Sequence, residues 1–238
     1  MEKRTKAILF DLDGTLLPMD LRSFLAAYLP GIAAAAAALA DPAQVGRWIL
    51  SGTAAMTAME GGSRTCEDVF WDEFCRLSGG GREQYERVFT AFYEREFDAL
   101  GALFPAEPRA ATIVAEARAK GLRCALATMP VFPRVATRKR IGWAGISPED
   151  FEVITTYEIC HASKPSTAYY QEILDWMQLA PAECLMVGND VGDDIAPALA
   201  LGMDAFYLDA WPENRAGAPE RYTRRGGYDA LLRYVRQL

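Results

Sequence analysis

Lys6-Ala-Ile-Leu-Phe-Asp-Leu-Asp-Gly-Thr15 (KAILFDLDGT) decides the fold of this 238-residue chain. Its apolar run, Lys6–Phe10, shows no alternation of polar and apolar residues. It breaks at once into an acidic turn containing Gly14, the pattern of a parallel strand buried on both faces that feeds a loop. Four further segments read the same way: Arg123–Thr128 (RCALAT), Glu152–Thr155 (EVIT), Cys184–Gly188 (CLMVG) and Ala205–Leu208 (AFYL). Between them lie helical patterns, Pro108–Lys120, Ser166–Gln178 and Asp194–Leu201, the first and last stopped by Gly121 and Gly202. Strands alternating with helices predict an α/β fold, a doubly wound parallel sheet.

Asp20–Phe104 breaks the alternation. It offers helix-like blocks instead, Leu21–Leu39, Pro42–Met59, Thr65–Leu77 and Arg82–Leu100, parted at Asp41-Pro42, Gly61-Gly62 and Gly79-Gly80-Gly81. Four helices are too many for one crossover. The expected organisation is a catalytic core from residues 1–18 and 105–238, with an inserted all-helical domain at 19–104. The tail after Trp211 ends in a short amphipathic stretch, expected to be a helix packed on the core.

Composition removes several function classes. A net charge of −7 argues against a nucleic-acid partner, because phosphate backbones need a basic face. The most apolar stretch, Leu25–Ala40, contains Pro30 and falls short of the roughly 20 residues of a membrane span. No secretory signal is expected, since Asp11 and Asp13 interrupt the short apolar run after the basic start; the expected location is cytoplasmic. Five scattered cysteines without a C-x-x-C pair read as reduced thiols. A single histidine, His161, rules out multi-histidine metal centres, so the chemistry is expected to run on carboxylates. Cys160 and His161 are neighbours, but adjacent residues rarely face each other; loop packing is the expectation. Oligomeric state is not readable from the chain.

Two carboxylates at Asp11 and Asp13, at the C-terminal end of the first strand, repel each other unless a cation or proton lies between them. That end of an open α/β sheet is where ligands bind. A hard, oxygen-liganded ion such as Mg2+ suits the pair. A second acidic cluster, Leu185–Ile195 (LMVGNDVGDDI), follows another buried strand and crowds Asn189, Asp190, Asp193 and Asp194 together. A cation is expected to hold both clusters.

FDLDGTLL resembles the first motif of the haloacid dehalogenase superfamily, and the rest of the core keeps that family's order. The resemblance implies that Asp11 attacks phosphorus to form an aspartyl-phosphate, a covalent route. Asp13 would protonate the leaving oxygen and then activate water. Thr128 takes the place of the hydroxyl that holds a phosphoryl oxygen, and Lys164 that of the lysine that offsets developing charge. In the fourth motif an aspartate commonly follows the glycine directly, whereas here Asn189 stands there. The metal set is expected to be Asp11, Asp13 and Asp190, with Asp194 holding metal-bound water; Asn189 or Asp193 are alternatives to Asp190.

The helical segment resembles a cap that closes over the site and selects a small phosphorylated substrate. It carries no lysine, which removes the Schiff base of the phosphonate-cleaving members. The family's dehalogenases lack the second aspartate, so Asp13 favours phosphoryl transfer. The expected activity is a Mg2+-dependent phosphatase. A phosphomutase on the same core, or a non-catalytic phosphate-binding regulatory module, is the alternative.

Overall fold

The structure, a computed structural model, describes residues 5–238. The basic start weighed in the expectation about a secretory signal lies outside the described residues.

The elements run β1 (Ala7–Phe10), α1 (Leu21–Ala35), α2 (Pro42–Thr57), α3 (Cys66–Ser78), α4 (Arg82–Arg95), α5 (Pro108–Ala119), β2 (Arg123–Leu126), α6 (Arg134–Trp143), β3 (Val153–Ile154), α7 (Thr167–Met177), β4 (Cys184–Gly188), α8 (Ala196–Ala200), β5 (Asp204–Leu208), β6 (Arg224–Gly226) and α9 (Tyr228–Val235). All neighbouring strands pair in parallel, in the order β3-β2-β1-β4-β5-β6. The doubly wound sheet read from the sequence is therefore present. Its central strand, β1, is apolar and wholly buried because both faces are covered.

Register sets up the site. Phe10 pairs with Leu126 on one side and with Val187 on the other, so β1, β2 and β4 end level. Strand order reverses between β1 and β4, and a sheet opens a crevice at such a point. Asp11, Thr128 and Asn189 are thus carried to one edge from stretches far apart in sequence.

The four helices α1–α4 fall between β1 and β2 as read from the chain. Asp20 and Asp41 cap α1 and α2, and Thr65 with Asp68 forms a capping box on α3, which stops at Gly79 in the left-handed conformation. The first helix stops at Ala35 instead of Leu39. There the backbone tightens to three-residue bonds, with Ala37 N–H donating to Ala34 O (3.0 Å) and Leu39 N–H to Ala36 O (2.8 Å), which brings Asp41 round to cap α2. Their aromatic interior centres on Phe70, Trp71, Phe74, Tyr85 and Phe89. The bundle is tied to the core at the start of α3, where the free N–H groups of Cys66 and Glu67 donate to the carbonyls of Cys160 and Tyr157 (2.8 and 2.7 Å).

Two elements were not expected. The edge strand β6 is three residues, Arg-Arg-Gly, with no apolar pattern to reveal it. Helix α6 follows Pro133 in a stretch dense with basic residues. The helix expected at Asp194–Leu201 is divided: Val191–Ile195 form a wide π turn before α8. Pro197 lacks the N–H that would bond the carbonyl of Asp193, and the Tyr170 hydroxyl donates to that carbonyl instead (2.5 Å). The terminal helix α9 packs on α5 as anticipated. Among the described residues no helix is long and apolar enough to cross a membrane.

Candidate active site

Asp11 emerges from β1 with its carboxylate held at both oxygens. Lys164 Nζ donates to Oδ1 (2.8 Å), and the Thr15 hydroxyl lies 2.9 Å from Oδ2. The same hydroxyl is 3.2 Å from Asn189 Oδ1, so the loops after β1 and β4 meet at Thr15. Gly14 makes this approach possible: its φ is +78°, and a Cβ there would run into the Asn189 amide.

Lys164 is 3 % exposed and also donates to Asp194 Oδ1 (2.6 Å). Burial alone would pull its pKa down, but Asp11 and Asp194 outweigh burial and hold it above the ordinary lysine range. Asp194, buried against Gly188, is pushed up to about 7 by burial and by repulsion from Asp11, with Lys164 opposing. Its Oδ2 accepts from the Asp190 backbone N–H (3.0 Å).

Asp13 differs from its neighbour. Its Oδ2 is paired with Arg140, while Oδ1 is buried without a hydrogen-bond partner. Burial raises its pKa, and Arg140 opposes that rise. Arg140 is 1 % exposed, with its guanidinium over the rings of Phe132 (4.7 Å) and Phe24 (5.6 Å). Arg134, nearer in sequence to the end of β2, is by contrast exposed on the first turn of α6. A signal for Arg140 was present: it lies on the helix face that buries Ala136, Thr137 and Ile141.

Asp11, Asp13, Lys164 and Asp194 line one cavity, together with Asn189, Asp193, Glu213 and Arg215. Thr128, buried at the end of β2 beside the cavity-lining Met129 but not itself lining the cavity, has its backbone fixed by Thr155 and Tyr169 while its hydroxyl is left without a partner.

Asp190, expected as a metal ligand, is engaged by other partners. Its Oδ1 accepts from Gly192 and Asp193 N–H groups (2.8 and 3.0 Å), capping the π turn, and its Oδ2 is held by Arg215 Nε (2.9 Å). It does not line the cavity, and Arg215 together with the backbone donors lowers its pKa in spite of burial. Asn189, directly after Gly188, turns its amide oxygen to the site instead. Cys160 and His161 do not form a pair: Cys160 is buried, and the His161 ring bonds Glu172 (2.8 Å). Burial pushes the thiols of Cys124 and Cys184 up to about 12, the range of unreactive core cysteines.

The donor set suits a hard divalent cation that keeps part of its own shell. Asp11 and Asn189 converge on one hydroxyl, Asp13 has an orphaned oxygen, and Asp193, Asp194 and Glu213 add negative charge to the same cavity. Among the described residues no three His, Cys, Asp or Glu side chains form a ready-made cage. An ion that shares its ligands with water and phosphate, as Mg2+ does, is what these residues fit.

Residues 5–202 match the haloacid dehalogenase-like hydrolase family. The chain belongs to that family. Accordingly it is an enzyme, a hydrolase of the haloacid dehalogenase-like type, and the sequence resemblance is confirmed. A curated relative, a phosphoserine phosphatase of Thermus thermophilus, is 30 % identical over 176 residues, covering 73 % of this chain and 66 % of that protein. Among solved structures, a phosphatase of the family from Thermococcus onnurineus superposes with a TM-score of 0.60 at 19 % identity, covering 97 % of this chain and 98 % of that one. An L-2-haloacid dehalogenase from Xanthobacter autotrophicus reaches 0.59 at 16 % identity, with 98 % of each chain covered. The fold is therefore common to carbon–halogen and phosphate-ester hydrolases, and the choice between them falls to the side chains.

Proposed function

We propose that this haloacid dehalogenase-like hydrolase is a Mg2+-dependent phosphatase that cleaves a small phosphate monoester through an aspartyl-phosphate on Asp11. The observation that carries the reading is Asp13: a second carboxylate in the cavity of Asp11, fixed at one oxygen by Arg140 and unpartnered at the other. Carbon–halogen cleavage has no use for it, whereas loss of an alkoxide from phosphorus needs a proton donor. Similarity to a phosphoserine phosphatase points the same way.

In this mechanism Asp11, its carboxylate fixed by Lys164 and Thr15, attacks phosphorus as the P–O bond to the alcohol breaks. Asp13 Oδ1 delivers a proton to the departing oxygen, then takes one from the water that opens the aspartyl-phosphate. The spare hydroxyl of Thr128 and the ammonium of Lys164 hold the phosphoryl oxygens. Mg2+, held by Asp11 and Asn189 with Asp194 supporting through Lys164, would supply charge neutralisation between two anionic reactants. Helices α1–α4, residues 19–104, act as a cap domain over the core, shielding the site from water.

Hydrolysis of p-nitrophenyl phosphate tests this reading. Turnover should require added Mg2+, cease in excess EDTA and disappear in Asp11→Asn. Turnover undiminished in Asp11→Asn, or release of halide from 2-chloropropionate in place of phosphate release, refutes it.

A further inference from the structure

The acidic floor is only one end of the cavity. From there it continues between α1–α4 and the loop after β2, and the whole cavity, floor included, has a volume of about 240 Å3. Its walls are apolar: Leu25, Leu29, Ile49, Leu50, Phe89 and Val131 are representative. Such a volume lies just under the roughly 300–1,000 Å3 of pockets that take drug-sized ligands. It suits a single ring or a short branched chain.

Charge is as telling as shape. Two cationic side chains line this cavity, and both are committed. Lys164 is bound to Asp11 and Asp194, and Arg215 to Asp190, Asp193 and Glu213. Among the described lining residues there is no cation to receive a substrate carboxylate. Glu86, the acid on the α4 wall, is itself paired with Arg82 (3.1 Å), so an ammonium group finds no free partner there. The hydroxyls of Tyr28 and Tyr93 pair at 2.6 Å, and those of Thr53 and Thr57 donate to the carbonyls of Ile49 and Ala54, so among the described residues Trp71 Nε1 is the buried donor left over on these walls. A charged or strongly polar substrate body would give up its water for little in return.

We infer that the substrate is a phosphate monoester of an uncharged, apolar alcohol, one ring or a short branched chain in size, and that the α1–α4 cavity is its specificity site. The inference rests on the phosphatase reading above and deepens it. It separates this chain from enzymes acting on phosphorylated amino or hydroxy acids, whose substrates carry a second anionic group. Burying an apolar body of this size corresponds to about a 10- to 100-fold preference.

The test measures kcat/KM of the full chain with Mg2+ on benzyl phosphate and 3-methylbutyl phosphate, against O-phosphoserine and phosphoglycolate. All four are esters of primary alcohols, so the bond broken is alike and the body is what varies. The apolar esters should be preferred at least tenfold. A second arm places a cation on the wall with Leu50→Arg, at a site 45 % exposed and so tolerant of change. It should cut the ratio of benzyl phosphate to phosphoglycolate at least fivefold, and Leu25→Arg should do the same. Equal or better turnover of either charged ester, or a ratio unmoved in both variants, overturns the inference while leaving the phosphatase reading intact. No turnover of these esters or of p-nitrophenyl phosphate removes both.

Discussion

Arg140→Met isolates what holds the proposed acid–base residue in place. Arg140 is 1 % exposed and pairs with Asp13, whose side chain is 28 % exposed. Breaking a buried ion pair by removing one partner costs about 3–5 kcal/mol, and the partial exposure of Asp13 puts the expectation at the low end, near 3. Methionine keeps most of the stem between Phe24 and Phe132 but forfeits the cation over their rings, adding about 1 kcal/mol. A chain of this length should lose about 2–4 °C in Tm per kcal/mol, so a total near 4 kcal/mol should lower Tm by roughly 8–16 °C.

The loss should also depend on pH, in a direction that can be worked out. Burial already raises the Asp13 pKa above the unfolded value of 3.8, and Arg140 opposes the rise. Removing the arginine lifts it further. A carboxyl raised on folding favours the folded state when protonated and costs stability as pH climbs through its folded value. The deficit should therefore be largest near pH 7–8 and shrink toward pH 4. Urea unfolding followed by circular dichroism reads both effects. Adding Asp13→Asn removes the stranded charge and should return about 2 kcal/mol at neutral pH. A single variant within 1 kcal/mol of wild type, or a double variant no more stable than the single, refutes the reasoning.

The remaining predictions concern the loop after β4. Asn189→Asp adds a negative ligand facing the site and should tighten Mg2+ at least threefold, whereas Asp190→Asn should leave Mg2+ affinity within twofold and lower Tm by loosening the π turn and Arg215; titration calorimetry and thermal unfolding distinguish them. An Asp190→Asn protein that loses Mg2+ tenfold would restore Asp190 as the ligand. Gly188→Ala places a Cβ against the Asp194 carboxylate; overpacking should cost about 1–3 kcal/mol, and turnover should fall as Asp194 is pushed off Lys164. Unchanged Tm and turnover would show that the strand end yields freely.

KAILFDLDGT and CLMVG were readable because a strand buried on both faces must be apolar throughout, and because carboxylates crowded after it demand a counter-charge. Local chemistry was enough for the parallel sheet, for the four helices after β1 and for singling out the acidic clusters at Asp11–Asp13 and Asn189–Asp194; Thr128 and Lys164 were reached only through the family resemblance. Edge strand β6 was hidden because pairing by backbone alone leaves no side-chain pattern. Side-chain direction is a different matter: Asn189 and Asp190 are adjacent, and only the π turn, forced open at Pro197 and closed by Tyr170, decides which one faces the cavity. Arg140 stands 127 residues from Asp13. Its place beside that carboxylate follows from how α6 packs on Phe24 and Phe132, a contact between distant segments that no local spacing encodes. The apolar cavity belongs to the same class, since whether aliphatic and aromatic side chains on four helices close into a solid core or surround a space depends on how the helices meet.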